Sequence, residues 1–170
     1  MYASHLGVAL LAKGVRKEVP LFLLVVASIG VNLVSAGIQI TGIEVPQGLG
    51  PHSIPGTALT AIAIMSIVFA VNRNIQHAIF AGLVALSHVL LNWVTSRLIA
   101  WPGGPMIGLG LYVYDYPLID FVIEGVLILV GWLVYRKTVP LESRNLWGTW
   151  AMLILLILCQ GMYAGMLARP

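Results

Sequence analysis

The sequence predicts an all-α protein, a polytopic membrane helix bundle of about five transmembrane helices plus a short N-terminal half-helix or interfacial helix. Of its 170 residues, 59% are hydrophobic and 9% are charged, where an ordinary soluble domain carries roughly 25% charged residues. Nine basic and six acidic side chains cannot clothe a soluble fold of this length, and the mean hydropathy of +0.97 points the same way. The apolar residues fall in five runs, most of them near the ~20 residues that a helix needs to cross a ~30 Å hydrocarbon core. The net charge of +3 does not signal a nucleic-acid partner. The basic residues flank the apolar runs and read as topology signals.

The first element, over 2–13, is too short to span a bilayer. The spans follow at 19–43, 56–71, 75–96, 117–135 and 146–167, all within one membrane domain covering 1–170. Each is apolar on every face, as expected where the solvent is lipid. Proline and glycine mark the breaks at Pro46-Gln47-Gly48, Pro51, Pro55-Gly56 and Trp101-Pro102-Gly103-Gly104-Pro105. No cleavable signal peptide is expected, because the early apolar stretch is short and no basic residue precedes it. Cys159, the single cysteine, lies inside the last run. It excludes an internal disulfide framework and a cysteine-based zinc site, and is expected to be a small buried packing residue.

Positive charges set the expected orientation. Lys13, Arg16 and Lys17 precede the first span, Arg73 joins the second to the third, and Arg136, Lys137 and Arg144 join the fourth to the fifth. A cytoplasmic N-terminus puts all of these on one side and leaves only Arg97 and Arg169 on the other, so the reading is N-in and C-out. Trp101, Tyr112, Tyr114 and Tyr116 in the outer loop, with Trp147 and Trp150 near the inner face, read as an interfacial aromatic belt rather than a substrate platform. His77, near a span end, reads as interfacial too.

Polar residues inside spans are costly and therefore informative. Asn32 sits near the middle of the first span. His88 and Asn92 lie in the third with i, i+4 spacing, which places them on one helical face as two ligands of one metal would be. Asp120 and Glu124 share a face of the fourth, where two carboxyl groups can share a proton or aim at a common cation. Rises of 1.5 Å per residue bring Asn32, His88, Asn92 and Glu124 to similar depth, and His52 lies in the loop leading into the second span. His5 joins them only if the N-terminal element points its start into the membrane. The expectation is one polar pocket opening outward. The competing reading makes these groups hydrogen-bonded packing residues that glue helices together.

The opening Met-Tyr-Ala-Ser-His-Leu-Gly-Val-Ala-Leu, Ala12-Lys13-Gly14-Val15, His52-Ser53, Leu86-Ser87-His88 with Asn92, Gly108-Leu109-Gly110-Leu111 and the step from Pro117 to Glu124 form a pattern along most of the chain. In these features the chain resembles small bacterial inner-membrane proteins described as membrane-bound metal-dependent hydrolases. The resemblance implies an inner-membrane location and a metal-ligand set drawn from His5, His52, His88 and Glu124, with Asn32 and Asn92 at positions where such families typically carry Asp. The two amides remove negative charge and candidate general bases from the same pocket.

Three function classes follow. The favoured one is a degenerate, non-catalytic relative acting as a structural or accessory subunit of a membrane complex, with no cofactor. The second is a membrane-embedded hydrolase of lipid-like or envelope substrates, using water on zinc or another divalent metal. The third is a small transporter or channel component with Glu124 and Asp120 as a relay. The expected partners are the lipid bilayer and a membrane protein or a second copy of the chain; nucleic acid is not among them. No P-loop, dinucleotide or serine-triad pattern is present.

Overall fold

The computed structural model describes residues 3–112, 115–144 and 147–167. Within them the chain is helical apart from one two-stranded ribbon. The order is α1 (Ala3–Val15), α2 (Leu21–Thr41), α3 (Ile54–Asn72), α4 (Ile75–Thr95), β1 (Leu98–Ile99), β2 (Met106–Ile107), α5 (Pro117–Arg136) and α6 (Trp147–Leu167). Helices α2 to α5 are each long and apolar enough to cross a membrane, which marks the chain as a membrane-embedded protein. The fifth expected span coincides with α6, of 21 residues. Leu146, Tyr2, Tyr114, Arg169 and Pro170 lie outside the described residues, as does the Trp147 side chain.

The chain divides into two compact units, Met1–Val25 with Val113–Pro170, and Val26–Tyr112. The single domain expected over 1–170 is therefore built as two packed groups, with α2 passing from the first to the second.

In the first unit α1 lies along α5. A Cβ at Gly7 would fall 2.8 Å from the Leu127 carbonyl oxygen and 2.9 Å from Ile128 Cα, and one at Gly131 would strike the Gly7 carbonyl. Only glycine allows this approach at either position, as in close helix crossings generally. The pairing of Ser4 with Glu124, Gly7 with Ile128, and Gly14 with Val134 shows that α1 and α5 run in the same direction. Helix α6 runs opposite to α5, since Trp132 Nε1 donates to Thr149 O at 2.8 Å while Gln160 meets Asp120 at the other end. Leu10, Ile128, Trp132, Leu153 and Leu156 form the apolar core between the three helices.

This arrangement settles the entry of the first helix. Ser4 meets α5 at Glu124, seven residues into that helix, or about 10 Å from its start. The start of α1 is thus buried at the depth of Glu124. Its far end reaches the level of Val134, where Lys13 donates to the Lys17 and Val19 carbonyls. The N-terminal segment is thus a short helix packed along α5 from Glu124 to Val134.

Cys159 is a correction. It is exposed rather than buried. On α6 the buried positions are Leu153, Leu156 and Gln160, spaced at i, i+3 and i+7, and Cys159 falls off that stripe. A small apolar side chain on the outer face of a membrane helix has lipid for its solvent, so it needs no core.

In the second unit α3 and α4 form an antiparallel pair turned at Arg73, whose φ of 53° lets the C-cap amide return to Phe69 O. Gly82 lets α4 approach Met65, and Gly30 of α2 faces Ile64. The ribbon β1–β2 was not expected from the sequence. Its turn places Pro102 second and Gly103, at φ 70°, third, with Gly104 N donating to Trp101 O at 2.8 Å, the signature of a type II turn. The returning chain then covers the end of α4, Leu109 N donating to Trp93 O at 2.8 Å. A two-residue strand is too short to leave an alternating pattern, which is why the Pro-Gly run reads as a plain loop.

Substitution Gly131→Ala should separate α1 from α5 and destabilise the protein by roughly 1–3 kcal/mol, the usual cost of forcing atoms into a packed contact. Gly125→Ala, where nothing lies within 4 Å of an added Cβ, is the matched control. Thermal unfolding in detergent should show a lower midpoint for the first and little change for the second.

Candidate functional site

The polar residues of the second unit are assembled by a helix cap and a helix face. Ser53 caps α3, its Oγ accepting from Gly56 N at 3.1 Å and donating to Gly50 O at 2.7 Å. The cap fixes the residue before it, His52, at the mouth of the helix. Because α3 and α4 are antiparallel, the start of α3 lies beside the last turns of α4. There His88 and Asn92, both buried, present the same face.

His88 Nε2 lies 3.2 Å from His52 Nδ1, and Asn92 Nδ2 lies 3.4 Å from the same atom. The two imidazole rings are tilted by 41° with centroids 5.2 Å apart. An amide nitrogen can only donate, so His52 Nδ1 is the acceptor. His52 is then the neutral tautomer protonated at Nε2, and His88 donates through its own Nε2–H. Partial burial pushes the His52 pKa below its ordinary value, which favours this neutral form.

His52 also lines a cavity of about 340 Å³ formed by the 45–53 loop, Arg97 to Ile99 and Met106. The loop is pressed against α3, where a Cβ on Gly56 would strike the Gly50 carbonyl, and against the ribbon turn, where one on Gly48, at φ 86°, would meet Pro102. Asn32 lies on α2 in the same unit, with its amide nitrogen buried and unpartnered.

A second cluster belongs to the first unit. Asp120 and Glu124 are fully buried one turn apart on α5. Gln160 Nε2 donates to Asp120 Oδ2 at 3.1 Å, and Ser4 N donates to Glu124 Oε2 at 3.3 Å. The latter satisfies one of the orphan amides at the start of α1. His5 follows Ser4 and is likewise buried. Gln160 had a signal that sequence reasoning passed over: it is a lone amide inside the last apolar run.

Of the expected ligand set, His52 and His88 come together with Asn92 in the second unit, while His5 and Glu124 belong to the first. Among the described residues no group of three or more His, Cys, Asp and Glu side chains is placed to hold a metal ion. Of the aromatic residues, Trp101, Tyr112 and Tyr116 are exposed, and the Arg97 guanidinium lies 5.9 Å from the Tyr112 ring. His77 is half-buried in the first turn of α4, below the Asn74 cap. Compared with protein-family models, curated proteins and solved structures, the chain matches none.

The His52 hydrogen bonds should be sensitive to acid. A folded pKa held below the unfolded value of about 6.5 means that stability is fully present above that value and is lost as pH falls through the folded pKa. His52 is partly exposed, so the effect should be small. His52→Gln, which keeps an acceptor and cannot protonate, should flatten the fall of the unfolding midpoint below about pH 6.5. An unchanged slope in the variant would assign the acid sensitivity elsewhere.

Proposed function

We propose that this chain is a non-catalytic member of the hydrolase-like group of inner-membrane proteins, serving as a structural or accessory subunit beside a membrane partner or a second copy of itself. The observation that carries the reading is the contact between Asn92 Nδ2 and His52 Nδ1 at 3.4 Å. The lone pair of His52 that would bind a metal is already faced by two donors, the Asn92 amide and His88 Nε2–H at 3.2 Å. A carboxylate at position 92 would leave that lone pair to a cation and add negative charge beside it. The amide does neither, and it supplies no general base for activating water.

The orientation proposed is N-in, C-out. Since α1 and α5 run in parallel, Lys13, Arg16 and Lys17 after α1 gather at the same end of the first unit as Arg136, Lys137 and Arg144. Basic clusters of this kind mark the cytoplasmic face.

One observation favours the metallohydrolase reading. Two nitrogens bound to one tetrahedral zinc lie about 3.3 Å apart, and the His52–His88 pair is separated by 3.2 Å. Turning the Asn92 amide over would offer Oδ1 as a weak third ligand.

Metal linkage separates the two. The parent should carry little zinc by elemental analysis, and its unfolding midpoint should not move between zinc and chelator. Asn92→Asp, alone and with Asn32→Asp, should become metal-dependent, gaining ~2.7 kcal/mol at free zinc a hundredfold above Kd. Zinc near one per parent chain, with stabilisation already present, would replace this reading by the enzyme.

A further inference from the structure

The first unit carries a third polar feature, at the end of α5 remote from Asp120. A cavity of about 250 Å³ is lined by Leu133, Arg136, Lys137 and Arg144. Three cations converge on it, and an anion holds neither Arg144 nor Lys137. Arg144 donates Nε to Val139 O at 3.0 Å and Nη2 to Lys137 O at 3.1 Å, which covers carbonyls beyond the negative end of α5 and leaves three of its five N–H donors for the cavity. The Arg136 guanidinium is stacked near two indole rings, 5.3 Å from Trp132 and 5.0 Å from Trp150. Lys137 is exposed. Among the described residues neither Lys137 nor Arg144 forms an ion pair, and neither does Glu142, the one acidic residue of the α5–α6 connection.

Lys137 and Arg144, brought together with no counter-ion among the described residues, cost free energy unless an anion joins them. The fixed guanidinium planes suit the oxygens of a phosphate group. Depth identifies its source. Arg136 ends a 20-residue apolar helix of membrane-crossing length, which puts the cavity at headgroup level. On the bilayer side of Leu133, Val126, Leu129 and Val130 are exposed along α5 and give an acyl chain an apolar track. A free phosphate would use the cations alone; a phospholipid would use both.

We propose that this pocket is a binding site for the phosphate headgroup of an anionic phospholipid. The full chain in neutral detergent is titrated with phosphatidylglycerol and with phosphatidylcholine, and bound lipid is counted by native mass spectrometry. Each basic residue near an anionic headgroup is worth roughly fivefold in affinity, so the parent should prefer phosphatidylglycerol by about tenfold or more. Lys137→Gln/Arg144→Gln should abolish the preference. Lys137→Gln alone, which breaks no side-chain hydrogen bond or ion pair among the described residues, should reduce it severalfold. Asn92→Asp should keep it, which separates this site from the histidine constellation. Equal binding of the two lipids by the parent overturns the proposal, as does an undiminished preference in both variants. Complete displacement of phosphatidylglycerol by millimolar inorganic phosphate would assign the pocket to a free anion and overturn it too.

Discussion

Polar groups in a hydrocarbon solvent must find partners within the chain, and both units of this protein are organised around that constraint. The apolar side chains choose little on their own, because they are as well solvated by lipid as by one another. Asp120 is therefore met by Gln160 across the α5–α6 contact, Glu124 by an orphan amide of α1, and His52 by His88 and Asn92. Each contact joins residues at least 36 positions apart, so each helps to fix the register in which its helices pack. The glycines at 7 and 131 then let the backbones close on that register.

The half-helix α1 shows how much follows from one such contact. A 13-residue helix is about 20 Å long and cannot cross the bilayer. Its first turn would carry unsatisfied amides into the interior if it began there unaided. The Glu124 carboxyl group accepts from Ser4 N and so satisfies one of these amides. With its start fixed at that depth, the helix ends level with the end of α5, and the two sets of basic residues come to share one end of the unit. Depth and charge distribution thus rest on one acidic side chain.

Much of this was legible in the sequence. Apolar runs bounded by Pro and Gly located α2 to α6 to within a few residues, because length and composition are what a bilayer selects. The i, i+4 relation of His88 and Asn92 was legible as well, and both face His52. The β1–β2 ribbon was hidden because two-residue strands carry no period. The depth of His5 was hidden because it depends on the Ser4–Glu124 contact between residues 120 positions apart. Cys159 was misread because an all-apolar run gives no indication of which face is inward. Gln160 was overlooked beside the more conspicuous charges, although a lone buried amide implies a partner on another helix.

On the proposed reading, the amide at position 92 leaves the fold better satisfied in its own terms than a metal-ligating carboxylate would. An ionised carboxylate there would be buried at the membrane end of α4, and without a cation it would protonate or destabilise its surroundings. Asn has nearly the same volume and no charge, and its buried nitrogen finds an acceptor in His52 Nδ1, which His88 also reaches. The contact at 3.4 Å is long, so its contribution sits at the weak end of ~0.5–1.5 kcal/mol. Its larger effect is to avoid an unsatisfied group. A metal-dependent pocket is incomplete when empty, whereas this constellation is closed by its own side chains. Selection for a stable membrane subunit would retain it even where selection for chemistry had ceased.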